Sequence, residues 1–147
     1  PSCSLKVAAG EEEFADDGMI DISKLVGDRP ACCGVPDGTG QGMYVKVYHT
    51  ERLSSTKPED IHKSSDTNNW HFWHIDFEEG TAEEVMDLPW MSGGNGYSPL
   101  ADGRIITTAY DRAATPPTTN LVELGSERAP SVIGNVNGIL DNLEELR

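Results

Sequence analysis

Apolar residues come in short runs separated by Gly, Pro, Asp and Asn. Met43–His49, His71–Phe77, Arg104–Tyr110, Asn120–Leu124 and Ser131–Val136 are rich in Val, Ile, Tyr, Thr and Trp. This is the composition of a half-buried pleated strand. Cys32–Val35, Glu84–Leu88 and Tyr97–Ala101 are shorter runs of the same kind. Asp37-Gly38 and Asp102-Gly103 each precede such a run, and Asp-Gly is a strong hairpin signal. Ser4–Ala8 and Met19–Lys24 predict two further strands, with the acidic stretch Glu11–Asp17 as a solvated loop between them. Helical spacing occurs at the end, where Ile139, Leu140, Leu143 and Leu146 predict a short helix or a closing strand.

The runs repeat. His74-Ile75-Asp76-Phe77 aligns with Leu121-Val122-Glu123-Leu124 at an offset of 47, which also sets Ala82 on Ala129, Val85 on Val132 and Met86 on Ile133. Upstream, Tyr48 aligns with Tyr110 and the Asp37-Gly38 turn with Asp102-Gly103. The first copy carries extra residues at 39–41 and a polar insertion at 53–69. Each copy then reads as four short antiparallel strands, the content of a propeller blade. The phrase Ser98-Pro99-Leu100-Ala101-Asp102-Gly103-Arg104-Ile105 resembles the inner strand, turn and second strand of such a blade. The resemblance to β-propeller repeat proteins covers residues 30–136. It implies an all-β fold of two four-stranded antiparallel propeller-like blades, part of a larger or oligomeric propeller. Residues 1–29 would be N-terminal strands and an acidic loop of a preceding blade. Residues 30–92 would be the first blade with its insertion, and 93–147 the second blade and a closing segment. A β-sandwich or an open meander has a similar rhythm of short strands. Because rings need about four to eight blades, the expected partners are further copies of the chain or the remainder of a longer one.

Charge narrows the partners. Asp and Glu number 25 against 11 Lys and Arg, a net charge of -14. Such a surface repels phosphate backbones and argues against nucleic-acid binding. It suits solubility first, and also divalent cations or a basic partner. No apolar run approaches the roughly 20 residues of a membrane span. The chain begins at Pro1, and a leader or longer precursor before it, with a secreted or periplasmic location, is the expectation.

Three features carry candidate chemistry. Cys3, Cys32 and Cys33 form neither a disulfide scaffold nor a zinc pattern. The adjacent pair Cys32-Cys33 would lie on the inner strand of a blade, where a vicinal disulfide resembles the cofactor floor of quinoprotein alcohol dehydrogenases. The rest of that family's signature is missing, and two small half-buried thiols, one pairing with Cys3, are the favoured reading. In Trp70-His71-Phe72-Trp73-His74, alternation sets Phe72, His74 and Asp76 on one face and His71, Trp73, Ile75 and Phe77 on the other. His49, His74 and Asp76 are the candidate ligands of a divalent metal, against the preferred reading of a packed aromatic strand. Trp70, Trp90, Tyr97 and Tyr110 are candidate ligand-binding aromatics. Gly93–Gly96 lacks a following helix and reads as an inter-blade loop. No nucleophile elbow, HExxH, Walker or dinucleotide motif is present. The function expected is a non-enzymatic module binding a small ligand or a protein, with no cofactor assigned. The alternatives are a redox or metal-dependent propeller enzyme using Cys32, Cys33 and a histidine, and an oligomeric lectin.

Overall fold

The Asp37-Gly38 signal folds as a tight turn. The Asp37 carboxylate accepts from the Thr39 amide and hydroxyl, at 2.8 and 2.7 Å, and the Asp37 amide donates to Gly42 O. In the computed structural model, which describes residues 3–5, 18–53, 55, 57, 68–92, 97–99, 104–125 and 129–140, this turn opens the first of two sheets. The N-terminal pair is β1 (Cys3–Leu5) and β2 (Met19–Asp21), followed by a single helical turn, α1 (Ile22–Leu25). The first sheet is the antiparallel meander β3 (Ala31–Pro36), β4 (Gly42–Tyr48), β5 (Trp70–Asp76) and β6 (Thr81–Glu84). The second repeats that order with β7 (Tyr97–Pro99), β8 (Ile105–Asp111), β9 (Thr118–Leu124) and β10 (Ser131–Asn137). The described residues are thus mostly strand, in two four-stranded antiparallel sheets and the separate β1–β2 pair.

Two hydrophobic clusters hold the layers. One joins Val35, Tyr44, Phe72, Leu88 and Met91 of the first sheet and its following loop to Ile105, Ala109, Val122 and Leu124 of the second. The sheets therefore pack face to face, tied by Lys46 Nζ donating to Thr108 O and Tyr44 Oη donating to Gly125 O. The other cluster joins Val45, Val47 and Ile75, on the opposite face of the first sheet, to Ile22 and Val26. The first sheet is covered on both faces, so β4 reads as an almost continuous buried run. Alternation nonetheless assigns the faces correctly, and Ile105, Thr107, Ala109, Val122, Val45, Val47 and Ile75 are all buried.

The structure corrects the strand expectations in three places. Met19–Lys24 is a strand only to Asp21, whose side chain then accepts from the Lys24 amide and starts a helical turn. The strand expected at Glu84–Leu88 lies earlier, at Thr81–Glu84, and Val85–Leu88 forms a turn closed by Leu88 N to Val85 O. The fourth strands do not align at the offset of 47, because Ile75 pairs with Ala82 whereas Val122 pairs with Val132. The turn between β9 and β10 is longer than the Phe77–Gly80 turn, and this moves the register. The acidic stretch Glu11–Asp17, the glycines Gly93–Gly96, the Asp102-Gly103 turn, most of the 53–69 insertion and residues 141–147 lie outside the described residues.

Candidate functional site

Four aromatic rings line up at the end of the first sheet where β4 finishes and β5 begins. His71 stacks on Trp90, with centroids 4.4 Å apart and planes at 13°. Trp90 meets the edge of His49 at 4.7 Å, and His49 lies 6.2 Å from Trp73. Two guanidiniums reach the row: Arg52 lies 3.9 Å from the ring centroid of Trp90, which is inside the row, and Arg29 lies 5.9 Å from that of Trp73 at its end. Such cation–ring contacts are worth about 0.5–1 kcal/mol where exposed and more where desolvated. Strand alternation brings His71 and Trp73 to one face, and the 3-10 turn Thr50–Arg52 swings Glu51 and Arg52 over it.

Trp73 Nε1 donates to His49 Nε2 at 3.3 Å, which leaves Nδ1 as the protonated nitrogen, donating to Glu51 Oε1 at 2.9 Å. Arg29 also donates to Glu51 Oε1, at 3.1 Å. The backbone amide of Glu51 first, joined by His49 and Arg29, holds that carboxyl down to about 2 against the desolvation that opposes it. Buried His71 faces two acceptors, Glu84 Oε1 at 2.7 Å and Leu88 O at 2.8 Å. Both histidines are thus held in one orientation by partners on either side. Arg52 Nε donates to Asn68 O, and the Asn68 amide donates to Asp111 Oδ1 at 2.6 Å, which links this end of the first sheet to the end of β8.

The candidate aromatics gather at this end by backbone position, but their rings do not share one surface. Trp70 and Met91 exchange backbone hydrogen bonds, and Ser92 donates to Tyr110 O through both its amide and its hydroxyl. Tyr97, paired with Thr107, starts β7. The half-buried Trp70 ring lies 4.9 Å from Tyr48 on the face turned to the second sheet, whereas Trp90 belongs to the histidine row on the opposite face. Tyr110 sits with the partly buried end of β8.

The proposed metal ligands are not brought together. His74 pairs with Tyr44 near the far end of the sheet, on the face opposite the histidine row, and its Nε2 lies 3.0 Å from Asp37 Oδ2. Asp76 Oδ1 accepts from the Glu78 and Glu79 amides and shapes the following turn. Both ring nitrogens of His49 are engaged. Among the described residues no group of three His, Cys, Asp or Glu side chains is placed to hold a metal ion. Cys32 and Cys33 lie on β3, the first strand of its sheet, where the register slips between Cys32 and Val35 and Cys33 adopts φ 59. All three cysteines are thiols and exposed.

Arg29 and Arg52 escape sequence reasoning because each acts across the fold on a ring distant in the chain, and Glu51 because only the turn Thr50–Arg52 brings it onto its near neighbour His49. The one available hint was the crowding of Trp and His between residues 70 and 74. No protein-family model matches the chain, and no curated protein or solved structure matches it either.

Proposed function

We propose that the chain supplies two adjacent blades of a β-propeller that acts as a binding module, with its ligand surface at the end of the first sheet carrying Arg52 and Trp90. One observation carries the reading: two four-stranded meanders of the same strand order are stacked face to face. In each, equivalent positions face the unit that precedes it in the chain. These are Val45, Val47 and Ile75 in the first sheet, and Thr107, Ala109 and Val122 in the second. Propeller blades repeat their packing in this way. Apolar Val132, Ile133 and Val136 are exposed on the edge strand β10, as is Ile139 beyond it, and these favour a further neighbour.

At the ligand surface Arg52 offers an exposed cation beside an indole whose plane is fixed from both sides. That combination suits a carboxylate or a planar group on a small ligand or a protein loop. A secreted or periplasmic setting belongs to the same proposal. Light scattering on the purified chain tests the assembly. Association into a closed oligomer, or with the rest of a longer polypeptide, is expected, and a cooperatively folding monomer would refute it. Glycan and peptide arrays probed with the chain and with Arg52→Ala test the surface. A ligand whose binding survives the substitution unchanged would place the site elsewhere, and selective glycan binding would favour the lectin reading.

A further inference from the structure

Cys3 and the adjacent pair Cys32-Cys33, distant in sequence, line one pocket. β1 brings Cys3 beside the β3 bulge, and a cavity of about 140 Å³ opens among Cys3, Cys32, Cys33, Ile22, Met43 and Val45. The bulge separates the ladder pairs Cys32–Lys46 and Val35–Tyr44, and Cys33 between them takes the left-handed φ of 59 that a β-carbon disfavours. Gly34 follows, and a β-carbon there would run into the Met43 side chain. Lys46, buried and donating to Thr108 O, stands on the neighbouring strand opposite Cys32. Within a mostly acidic protein, this places a buried cation beside two exposed, adjacent thiols.

We propose that Cys32 and Cys33 form a reactive dithiol site for low-molecular-weight disulfides, with Cys33 as the attacking sulfur and Cys32 as the resolving one. In the first step the Cys33 sulfur attacks one sulfur of a disulfide RS–SR. That S–S bond breaks, a Cys33–SR bond forms, and one RS⁻ leaves and takes up the Cys33 proton. In the second, the Cys32 sulfur, giving up its proton, attacks the Cys33 sulfur. The Cys32–Cys33 bond forms and the second RSH departs. Two thiols have lost two electrons and one disulfide has gained them.

The electrostatics agree with these roles. A hydrogen bond from Cys32, with help from Lys46, holds the Cys33 thiol down to about 6 against the desolvation that opposes it. The same contact, with burial, pushes Cys32 up, as suits a group that keeps its proton until the second step. The remaining lining named above is apolar apart from Cys3.

The test uses the full reduced chain and oxidised glutathione, followed by mass spectrometry under non-reducing conditions. The wild type is expected to lose two hydrogens without retaining an adduct, and to yield a peptide internally linked at Cys32–Cys33 with Cys3 still open to alkylation. Cys32→Ser should stop at a glutathione adduct on Cys33, and Cys33→Ser should give no linkage at positions 32 and 33. At neutral pH the rate advantage over an ordinary thiol is only about a few fold, because nucleophilicity falls as the thiolate fraction rises. The pH profile therefore discriminates better: its midpoint should lie near 6 in the wild type and move up toward the ordinary 9.0 in Cys32→Ala. A first adduct on Cys3, a Cys3–Cys33 or Cys3–Cys32 linkage, or a pH midpoint unmoved in Cys32→Ala would overturn the assignment. Circular dichroism of each variant shows that the sheets remain intact.

Discussion

Replacing Ile75 by Ala tests the register on which the packing rests. Ile75 is 0% exposed and lies on β5 between Met43 and Ala82, packed with Val45 and Val47 against Ile22 and Val26. The substitution removes three carbon atoms from full burial, a transfer loss of about 2.4 kcal/mol at roughly 0.8 per carbon. A residual cavity of about 50 Å³ would add about 1.2 kcal/mol at roughly 24 cal/mol per Å³. The expected cost is therefore about 2.5–4 kcal/mol. It should appear as a lower urea midpoint with an unchanged slope in equilibrium unfolding followed by tryptophan fluorescence. The exposed Glu83→Ala on the neighbouring strand should stay within about 0.5 kcal/mol of the wild type. A loss below about 1 kcal/mol for Ile75→Ala would mean that this face of the sheet is not a packed interface, and the equivalence with Val122 would fall with it.

Two further outcomes follow from the far end of the first sheet. Gly42→Ala should destabilise by more than about 2 kcal/mol in the same assay, because the new methyl would meet the ladder carbonyl Ile75 O at 2.6 Å as well as the hydrogen-bonded Asp37 and His74 side chains at 2.5 and 2.8 Å. Asp37 should make the chain acid-labile: burial raises its pKa, but the His74 contact and the two Thr39 hydrogen bonds outweigh it and leave the folded value lowered. Its stabilisation is thus present above the ordinary carboxylate value of about 3.9 and is lost as pH falls below it. Urea midpoints measured from pH 6 down to pH 3 should fall at the acid end, and Asp37→Asn should flatten that fall.

The strands were legible where side-chain chemistry repeats at period two, and register was legible only as far as its parity. Setting Tyr48 on Tyr110 implies one alignment of β4 with β8. Pairing Ile75 with Met43 and Val122 with Thr107 implies another, two residues away. A shift of two preserves the face of every side chain, so the burial expectations survive the discrepancy. The turn between β9 and β10 was misjudged because turn length leaves no periodic trace in the flanking strands. Ile22–Leu25 reads as strand for a related reason: four residues are too few for a helical period to show, and Asp21 acts as a cap only once the chain has turned there. Of the candidate site, alternation placed His71 and His74 on opposite faces correctly. The row of His71, Trp90, His49 and Trp73 was not legible, since it depends on a loop folding Trp90 back over β5.

The burial of β4 and β5 bears on what the second sheet requires. Both faces of the first sheet are covered, one by α1 and its neighbours and the other by β8 and β9. Lys46 shows how complete that cover is: a side chain that almost never goes fully inside is only 3% exposed, and its charge is accommodated by Thr108 O and by the Phe72 ring 5.6 Å away. Along β8 of the second sheet Ile105 to Ala109 are all buried, yet its last strand carries Val132, Ile133 and Val136 in the open. The corresponding strand of the first sheet, β6, presents Thr81 and Glu83 to solvent instead. Polar residues protect an outer strand from unwanted pairing, whereas exposed apolar ones invite a partner. The difference between two strands at equivalent positions therefore makes β10, and not β6, the strand at which the proposed assembly would continue.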